Sequence, residues 1–493
     1  MLKNMEWVNK MTALNWVTIS PLMPEIFTAV AGLLLLLVGA LRGKSSVPFI
    51  LSAVLATFFV ASCFLFFGYS DIRPLDTMGG MVVVDGFSKW MRLIIFDGLI
   101  VSTLLLVTWL KDNQMYKFEI PILYLLSGVG MLFMVSANNF LALYVSLELS
   151  SLSLYVLAAI NRDRLDSTEA GLKYFILGAL SSGLLLFGIS LIYGFTGSLF
   201  FAEVGGILSQ MEMPAGAMVG MAFVLAGLIF KISGVPFHMW TPDVYQGAPT
   251  PVTALFAIVP KVAAFGLIIR LLTGPFLSLH EQAAQILIFV SVASMVVGAY
   301  AGLAQENFKR LMAYSSISNM GYALLGLLSG QPEGVAAVIL YLMVYMVMVA
   351  GVFAVLMGLK RQGHAIENIS DFAGLGKSSP LMAYSLVALL FSMSGIPPLA
   401  GFFAKLFIFQ SAVAGGFFTV AVIGVLASVV ASYYYLRVIK VILFDEPIGE
   451  FDHDCSYSRK VVMVGAVAFI IIFTFVPNYL LDQAQLAASS LFQ

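Results

Sequence analysis

Charged residues are scarce in this sequence, and the scarcity excludes several classes of protein. Only 10% of the 493 residues are charged and 60% are hydrophobic, whereas soluble globular domains have about 25% charged and about 45–50% apolar residues. Disordered, collagen-like and disulfide-rich secreted chains are excluded on the same grounds. The formal net charge of -1 provides no basic field that could hold nucleic acid. The composition is that of a membrane protein.

Potential ligands for metals and clusters are also few. The two cysteines, Cys63 and Cys455, are too few for an iron–sulfur cluster or a four-cysteine zinc site, and we expect no structural disulfide between them. The four histidines are His238, His280, His364 and His453. Because their spacing is unlike that of metal ligands, we expect no metal, no redox cofactor and no redox chemistry in this chain.

Long apolar stretches predict membrane spans. A spanning helix needs about 20 mostly apolar residues, and about fourteen stretches qualify. They are 22–41, 47–67, 91–110, 119–136, 139–160, 168–195, 217–234, 251–273, 283–303, 309–330, 334–358, 379–396, 399–441 and 461–481. The compound stretch holds a half-helix, 399–413, which belongs with the segment before it, and a full span, 417–441. The predicted fold is an all-α polytopic membrane protein with about fourteen transmembrane helices.

Lysine and arginine collect in alternate loops, which predicts an orientation. The basic residues of the odd loops are Arg42, Lys44, Lys111, Lys117, Arg162, Arg164, Lys309, Arg310, Lys360, Arg361, Lys377, Arg459 and Lys460. These loops should face the cytoplasm or matrix, so both termini should lie on the opposite side.

Two Ser-Gly-aliphatic-Pro motifs, 233–236 and 394–397, interrupt apolar stretches in the same way. Proline removes an amide donor and glycine allows the backbone to unwind, so the freed carbonyls must line a polar cavity. The pair of motifs predicts two five-helix repeats, with helices 7 and 12 broken. Because five is odd, tandem repeats must be inverted, as in many transporters. The predicted organisation is a three-helix segment over 1–118, repeats over 119–273 and 274–441, and a loop with a C-terminal helix over 442–493.

Five ionisable residues lie within apolar stretches, where a central charge costs about 2.5–3.5 kcal/mol on insertion scales. They are Glu148, Lys173, Lys231, Lys261 and Lys405. Such residues are functional candidates by default. Arg92, Asp97 and Arg270 lie nearer to predicted helix ends, and we interpret them as snorkelling or paired structural charges.

Glu148 belongs to a polar helix face. Tyr144, Glu148, Ser151 and Tyr155 recur at i, i+4, i+7 and i+11. The face could line a hydrated path, or Glu148 could simply pair with Lys173.

The lysines sit at the predicted breaks. Lys231 precedes the first break, so that unwound carbonyls could reach its ammonium; alternatively it caps the helix and snorkels to the surface. Lys261 follows Pro260, where we expect another break, and it has the same alternative. Lys405 has no carboxylate near it in sequence.

A buried lysine can switch protonation state, because burial weakens its hold on the proton and a nearby carboxylate restores it. A line of such lysines, joined by water and hydroxyls, would be a proton relay. His238 could bridge Lys231 and Lys261, since histidine titrates near neutral pH; a loop histidine without a chemical task fits its position equally well.

The segments 230–249, Phe-Lys-Ile-Ser-Gly-Val-Pro-Phe-His-Met-Trp-Thr-Pro-Asp-Val-Tyr-Gln-Gly-Ala-Pro, and 395–405, Gly-Ile-Pro-Pro-Leu-Ala-Gly-Phe-Phe-Ala-Lys, carry a family resemblance. The chain resembles the antiporter-like membrane subunits of proton-pumping NADH–quinone oxidoreductase, respiratory complex I. Within that family it is most similar to the subunit N branch, since Lys405 stands where subunit M has Glu.

The resemblance implies a role for each candidate. Glu148 and Lys231 would form a coupling pair with Lys173 tuning Glu148. Lys261, through His238, would carry the proton centrally, and Lys405 would pass it to the far side.

The resemblance also implies the setting. Flavin, iron–sulfur clusters and quinone would belong to partner subunits, so this chain would hold no cofactor. Its partners would be neighbouring antiporter-like and small membrane subunits and the lipid bilayer. The expected location is the bacterial inner membrane rather than the mitochondrial one, with periplasmic termini. Two alternatives stay open: a subunit of a multisubunit cation/proton antiporter, and a structural membrane subunit that pumps nothing.

Overall fold

A computed structural model describes residues 19–68, 74–211, 215–452 and 456–492. His453 and Cys455, considered above as ligands, lie outside the described residues. The α-helices are α1 Met23–Arg42, α2 Val47–Gly68, α3 Gly86–Asp112, α4 Glu119–Ser136, α5 Phe140–Ala158, α6 Leu165–Thr196, α7 Phe201–Leu208, α8 Ala215–Lys231, α9 Trp240–Gly247, α10 Thr250–Thr273, α11 His280–Leu303, α12 Phe308–Leu325, α13 Pro332–Gly358, α14 Leu375–Ser378, α15 Pro380–Ser394, α16 Ala400–Ala414, α17 Phe418–Phe444, α18 Tyr457–Phe475 and α19 Pro477–Ser489.

Two short antiparallel hairpins accompany the helices in the described chain. Strand β1, Leu75–Thr77, pairs with β2, Val82–Val84. Strand β3, Lys360–Arg361, pairs with β4, His364–Ala365. Both are too short to form a sheet with a core of its own, so the fold is helical.

The helices have the length and composition of membrane spans. Ten stretches of the described chain are long and apolar enough to cross a bilayer, and α8, α15 and α16 are shorter apolar helices. The prediction of an all-helical polytopic membrane protein is therefore confirmed, whereas the count of fourteen spans stays a prediction.

Helices α10 and α13 form the centre of the molecule. The most apolar segments of α10 and α13 are 94% and 89% buried, whereas that of α18 at the periphery is 33% buried. Helices α3 and α4 pack on α10, while α16, α18 and α19 pack on α13. The outer helices leave leucine, valine and phenylalanine exposed, as lipid-facing surfaces require.

Both predicted breaks occur. Helix α8 ends at Lys231, Ser233 adopts a left-handed φ of 65°, and helical structure resumes only at α9. Helix α15 ends at Ser394, Gly395 adopts a φ of 81°, and α16 follows. The predicted half-helix and the span after it are confirmed as α16 and α17.

The break expected at Pro260 is absent, because α10 runs without interruption through this proline. A proline inside a helix removes one hydrogen bond and bends the axis without necessarily ending it. Neighbouring helices enclose α10 almost completely, and this packing holds the helix together across the weak point.

Candidate functional site

The end of α8 directs Lys231 toward α5. Its Nζ donates hydrogen bonds to Ser151 Oγ at 2.7 Å and to Tyr155 Oη at 3.0 Å, and it lies 5.3 Å from the centre of the Tyr155 ring. The expected partners were unwound carbonyls, but the observed ones are hydroxyls of the polar face of α5. Because the ammonium points inward, Lys231 does not snorkel to the surface.

Glu148 lies one helical turn before Ser151 on the same face of α5. Its Oε1 is buried and has no hydrogen-bond partner among the described residues. A buried carboxylate oxygen without a donor is costly, so this site requires water or a cation that moves toward it.

Lys173 pairs with carboxylates other than Glu148, contrary to the direct pairing considered from the sequence. Its Nζ contacts Asp243 Oδ2 at 2.6 Å and Glu169 Oε1 at 2.7 Å, and its side chain is 41% exposed. Lys173 is the ninth residue of α6, which places it near the helix start and close to α9 rather than deep in the span. The long-range contact with α9 was invisible in the sequence.

Asp243 joins three helices at this point. It accepts hydrogen bonds from Lys173 on α6 and, at 2.6 Å, from Arg310 NH1 on α12. Partial burial raises the pKa of Asp243, but the two cations outweigh this effect, so the pKa lies below its ordinary value. The charged carboxylate fixes the segment that follows the first break.

Lys261 is enclosed at the centre of the molecule, with only 1% of its surface exposed. Its Nζ donates a hydrogen bond to Ser316 Oγ on α12, and the same oxygen accepts a hydrogen bond from Tyr345 Oη at 2.8 Å. The Tyr245 ring lies 5.8 Å from Nζ. Lys261 therefore cannot snorkel, and hydroxyl groups are its immediate polar surroundings.

His238 bridges neither lysine by a hydrogen bond, although all three residues lie in the described chain. Its Nδ1 is buried without a partner there. The bridge expected from the sequence would need water or a side-chain movement. Within the described ranges, no group of three or more His, Cys, Asp or Glu residues could hold a metal ion.

The second break surrounds Lys405 with acceptors. Its Nζ donates to Met393 O at 3.1 Å, to Ser394 O at 3.3 Å and to Ser428 Oγ at 2.9 Å. The face of the Tyr322 ring lies 4.9 Å away. Carbonyl groups at the C-terminal end of α15 thus bind the Lys405 ammonium. This arrangement was expected at Lys231 but is found at Lys405.

A run of polar side chains on α12 lies between Lys261 and Lys405. Ser315 Oγ and Tyr435 Oη are 2.6 Å apart, Tyr341 Oη donates to Asn319 Oδ1 at 2.6 Å, and Ser318 Oγ contacts Tyr322 Oη at 3.4 Å. Sequence reasoning missed this run, although four polar residues within 315–319 were a visible signal.

Lys309 was assigned to a loop by its charge, yet it is buried. Only 6% of its surface is exposed, and its Nζ donates to Ala248 O at 3.2 Å. Burial on this scale depends on the packing of α12 against α9, which no local pattern predicts.

Two of the charges interpreted as structural have buried partners. Arg92 NH1 lies 2.9 Å from Glu25 Oε1, with both side chains fully buried. Arg270 forms a bidentate salt bridge with Asp85, in which NH1 donates to Oδ2 at 2.9 Å and NH2 donates to Oδ1 at 3.0 Å. These pairs tie α1 and α10 to α3.

Comparisons with known proteins agree with this architecture. A family model described as NADH:quinone oxidoreductase/Mrp antiporter, TM matches residues 137–431. NADH-quinone oxidoreductase subunit N of Rhodospirillum rubrum is 46% identical over 474 residues, which cover 96% of this chain and 97% of the relative. A chain of respiratory complex I from Thermus thermophilus has a TM-score of 0.80 at 31% identity, covering 93% of this chain and 99% of that one.

A chain of the Mrp complex from Dietzia also shares the fold. Its TM-score is 0.83 at 24% identity, covering 97% of this chain and 98% of that one. At this level of identity the likeness is one of fold alone. With nearly full-length similarity to curated relatives and a family model across more than half of its length, the chain belongs to the NADH-quinone oxidoreductase subunit N family.

Proposed function

We propose that this chain is the proton-translocating subunit N of NADH:quinone oxidoreductase. One observation carries the proposal: Lys231, Lys261 and Lys405 lie inside the helical core, and in the described part of the chain none of them has a carboxylate oxygen within 4 Å. Each ammonium contacts hydroxyls or carbonyls instead. No counter-charge among the described residues locks these amines in the protonated state, so each can take up and release a proton.

The geometry suggests an order of transfer. Charged Glu148 favours a proton on Lys231, one turn away through Ser151. Neutralisation of Glu148 then releases this proton toward Lys261, with water or a reoriented His238 filling the gap. The hydroxyls of α12 lead from Lys261 toward Lys405, which discharges on the far side. Lys173 has a positioning role in this scheme, since it holds α9 through Asp243.

Substitution of Lys261 tests the proposal. Lys261→Met keeps the length and helix propensity of the side chain but removes the proton site. NADH–quinone turnover and proton pumping should fall together in membranes with verified assembly, because a blocked proton step stalls coupled electron transfer. Wild-type pumping by Lys261→Met would reject the relay, and a structural subunit that pumps nothing predicts that result.

A cation/proton antiporter subunit is the second candidate, because the Mrp chain shares the fold. The curated relatives at 44–48% identity favour the first candidate, since all of those compared are named subunit N. Copurification separates the two: the tagged chain should bring flavin- and iron–sulfur-containing subunits with it. Copurification with antiporter subunits alone would favour the second candidate.

The finer architecture belongs to the same proposal. The helical segments end in a similar way after Lys231 and after Ser394. In each case a residue with left-handed backbone lies within two positions of the helix end. This similarity supports two inverted five-helix repeats over 119–273 and 274–441. The segments 1–118 and 442–493 flank them, giving fourteen spans with broken helices 7 and 12. The basic odd loops support periplasmic termini. A reporter fused after residue 484 should be active only in the periplasm, and activity restricted to the cytoplasm would contradict this topology.

The proposed location is the bacterial inner membrane, in contact with neighbouring antiporter-like and small membrane subunits. Flavin, iron–sulfur clusters and quinone sites are assigned to those other subunits of the complex. A pure preparation of this chain should therefore contain no stoichiometric flavin or iron and should not oxidise NADH.

A further inference from the structure

Asp97 is an exposed carboxylate in the middle of a membrane-spanning helix. It is the twelfth of the 27 residues of α3, about 16 Å from the start of the helix and about 22 Å from its end at 1.5 Å per residue. Its side chain is exposed at the surface of the chain. The expectation that Asp97 would lie near a helix end is therefore wrong.

The carboxylate of Asp97 has no ion pair and receives no hydrogen bond from any residue in the described ranges. Arg92, the charged residue of α3 nearest to Asp97 in sequence, already has a partner. Arg92 pairs with Glu25, and Asp85 pairs with Arg270. Asp97 is thus left without a counter-charge among the described residues.

Half-buried apolar side chains lie on both sides of Asp97 along α3 and form a strip on the surface of the chain. Apolar residues recur along α3 at helical spacing and are only half-buried: Trp90, Leu93, Ile100, Val101, Leu104 and Val107. Other faces of α3 pack on α2, α4, α10, α18 and α19. Lipid chains cannot solvate the carboxylate at the centre of this strip.

We propose that this strip of α3 docks one transmembrane helix of a neighbouring membrane subunit, which presents a lysine or arginine to Asp97. Charge complementarity argues for this occupant, because within the hydrocarbon region only a cation or a set of strong donors stabilises a carboxylate. The presence of a neighbouring subunit rests on the proposed function, since assembly into the oxidoreductase supplies such a partner.

Photo-crosslinking in the assembled complex tests the docking directly. A benzophenone amino acid at Leu104, two turns along the strip, leaves Asp97 intact. Irradiation of native membranes should produce one covalent adduct with another membrane subunit. Adducts only with lipid, or only with residues 1–18 of this chain, would overturn the proposal.

A pair of substitutions tests the charge. If Asp97 faces lipid, the substitution Asp97→Leu should be neutral or favourable for assembly. If Asp97 faces a cation of a partner subunit, the same substitution leaves that cation unpaired. Asp97→Leu should therefore reduce the fraction of this chain retained in the detergent-extracted complex by at least about tenfold, while Asp97→Glu retains it. Equal retention of Asp97→Leu and wild type would refute the ion pair. Loss of retention is measured without pumping, so it is independent of whether the lysine relay is correct.

Discussion

Gly178 on α6 leaves the space that Tyr155 needs to reach Lys231. A methyl group at Gly178 would overlap the Tyr155 hydroxyl and lie 2.8 Å from Cε1. The ring cannot move away easily, since it is 5% exposed and packs edge-on against Tyr174, with ring centres 4.7 Å apart. Gly178→Ala should therefore break the 3.0 Å hydrogen bond between Tyr155 and Lys231.

The size of the effect follows from that bond. A hydrogen bond to a charged group contributes about 1.5–3 kcal/mol, and each ~1.4 kcal/mol corresponds to a tenfold change in rate. If the proton step limits turnover, Gly178→Ala should slow NADH-driven pumping by about 10- to 150-fold. The assay is proton uptake into inverted membrane vesicles, with the amount of assembled complex measured in parallel.

Two further variants isolate the cause. Tyr155→Phe removes the hydroxyl without crowding and should reproduce the loss. Gly183 lies on the same helix, and no heavy atom of the described residues lies within 4 Å of the methyl that Gly183→Ala adds. Alanine is also the better helix former, so pumping should be unchanged. If Gly178→Ala and Tyr155→Phe both pump like Gly183→Ala, the contact between Tyr155 and Lys231 has no part in proton transfer.

Two other positions give predictions of the same kind. Gly395 has a φ of 81°, and the methyl group of Gly395→Ala would lie 3.1 Å from Lys405 Cδ. Gly416 has a φ of 87°, and no atom of the described residues lies within 4 Å of a methyl group added there. Alanine should strain the backbone at both sites by about 1–2 kcal/mol but reduce pumping only at Gly395. Asp85→Asn leaves buried Arg270 unpaired and should lower stability by about 3–5 kcal/mol, measured by thermal unfolding. Burial raises the pKa of Asp85, but Arg270 lowers it by more, so the net pKa lies below the ordinary value. The stabilisation of the fold by the Asp85–Arg270 pair is therefore fully present above the ordinary Asp pKa of about 3.9. It is lost only as the pH falls through the lowered pKa. The deficit of the variant should therefore be the same at about pH 5 and about pH 8.

The parts of the fold that depend on local chemistry could be predicted from the sequence. The lengths of the apolar stretches predicted the helices. The two Ser-Gly-aliphatic-Pro motifs predicted the helix breaks beside Lys231 and Lys405. Pro260 shows the limit of this reasoning. The same proline chemistry acts there, but enclosure of α10 by its neighbours outweighs it, and enclosure is a property of the tertiary structure.

The candidate site divides along the same line. Lys231, Lys261 and Lys405 were identifiable because a charge in an apolar stretch is conspicuous. Their partners were not, since Ser316 is 55 residues from Lys261. Likewise Asp243, 70 residues from Lys173, was no candidate at all, and Lys173 was assigned to Glu148 instead. Residue identity is local information, but a hydrogen-bond partner is not.

The exchange Lys231→Arg tests the central claim most directly, because arginine keeps the positive charge but stays protonated in proteins. Arginine retains several donors for Ser151 and Tyr155, so a structural role predicts near-normal activity. A proton relay predicts that Lys231→Arg assembles normally but that NADH–quinone turnover and proton pumping both fall to the level of Lys231→Ala. If Lys231→Arg pumps like wild type in membranes with verified assembly, deprotonation of this residue is not required and the relay is wrong.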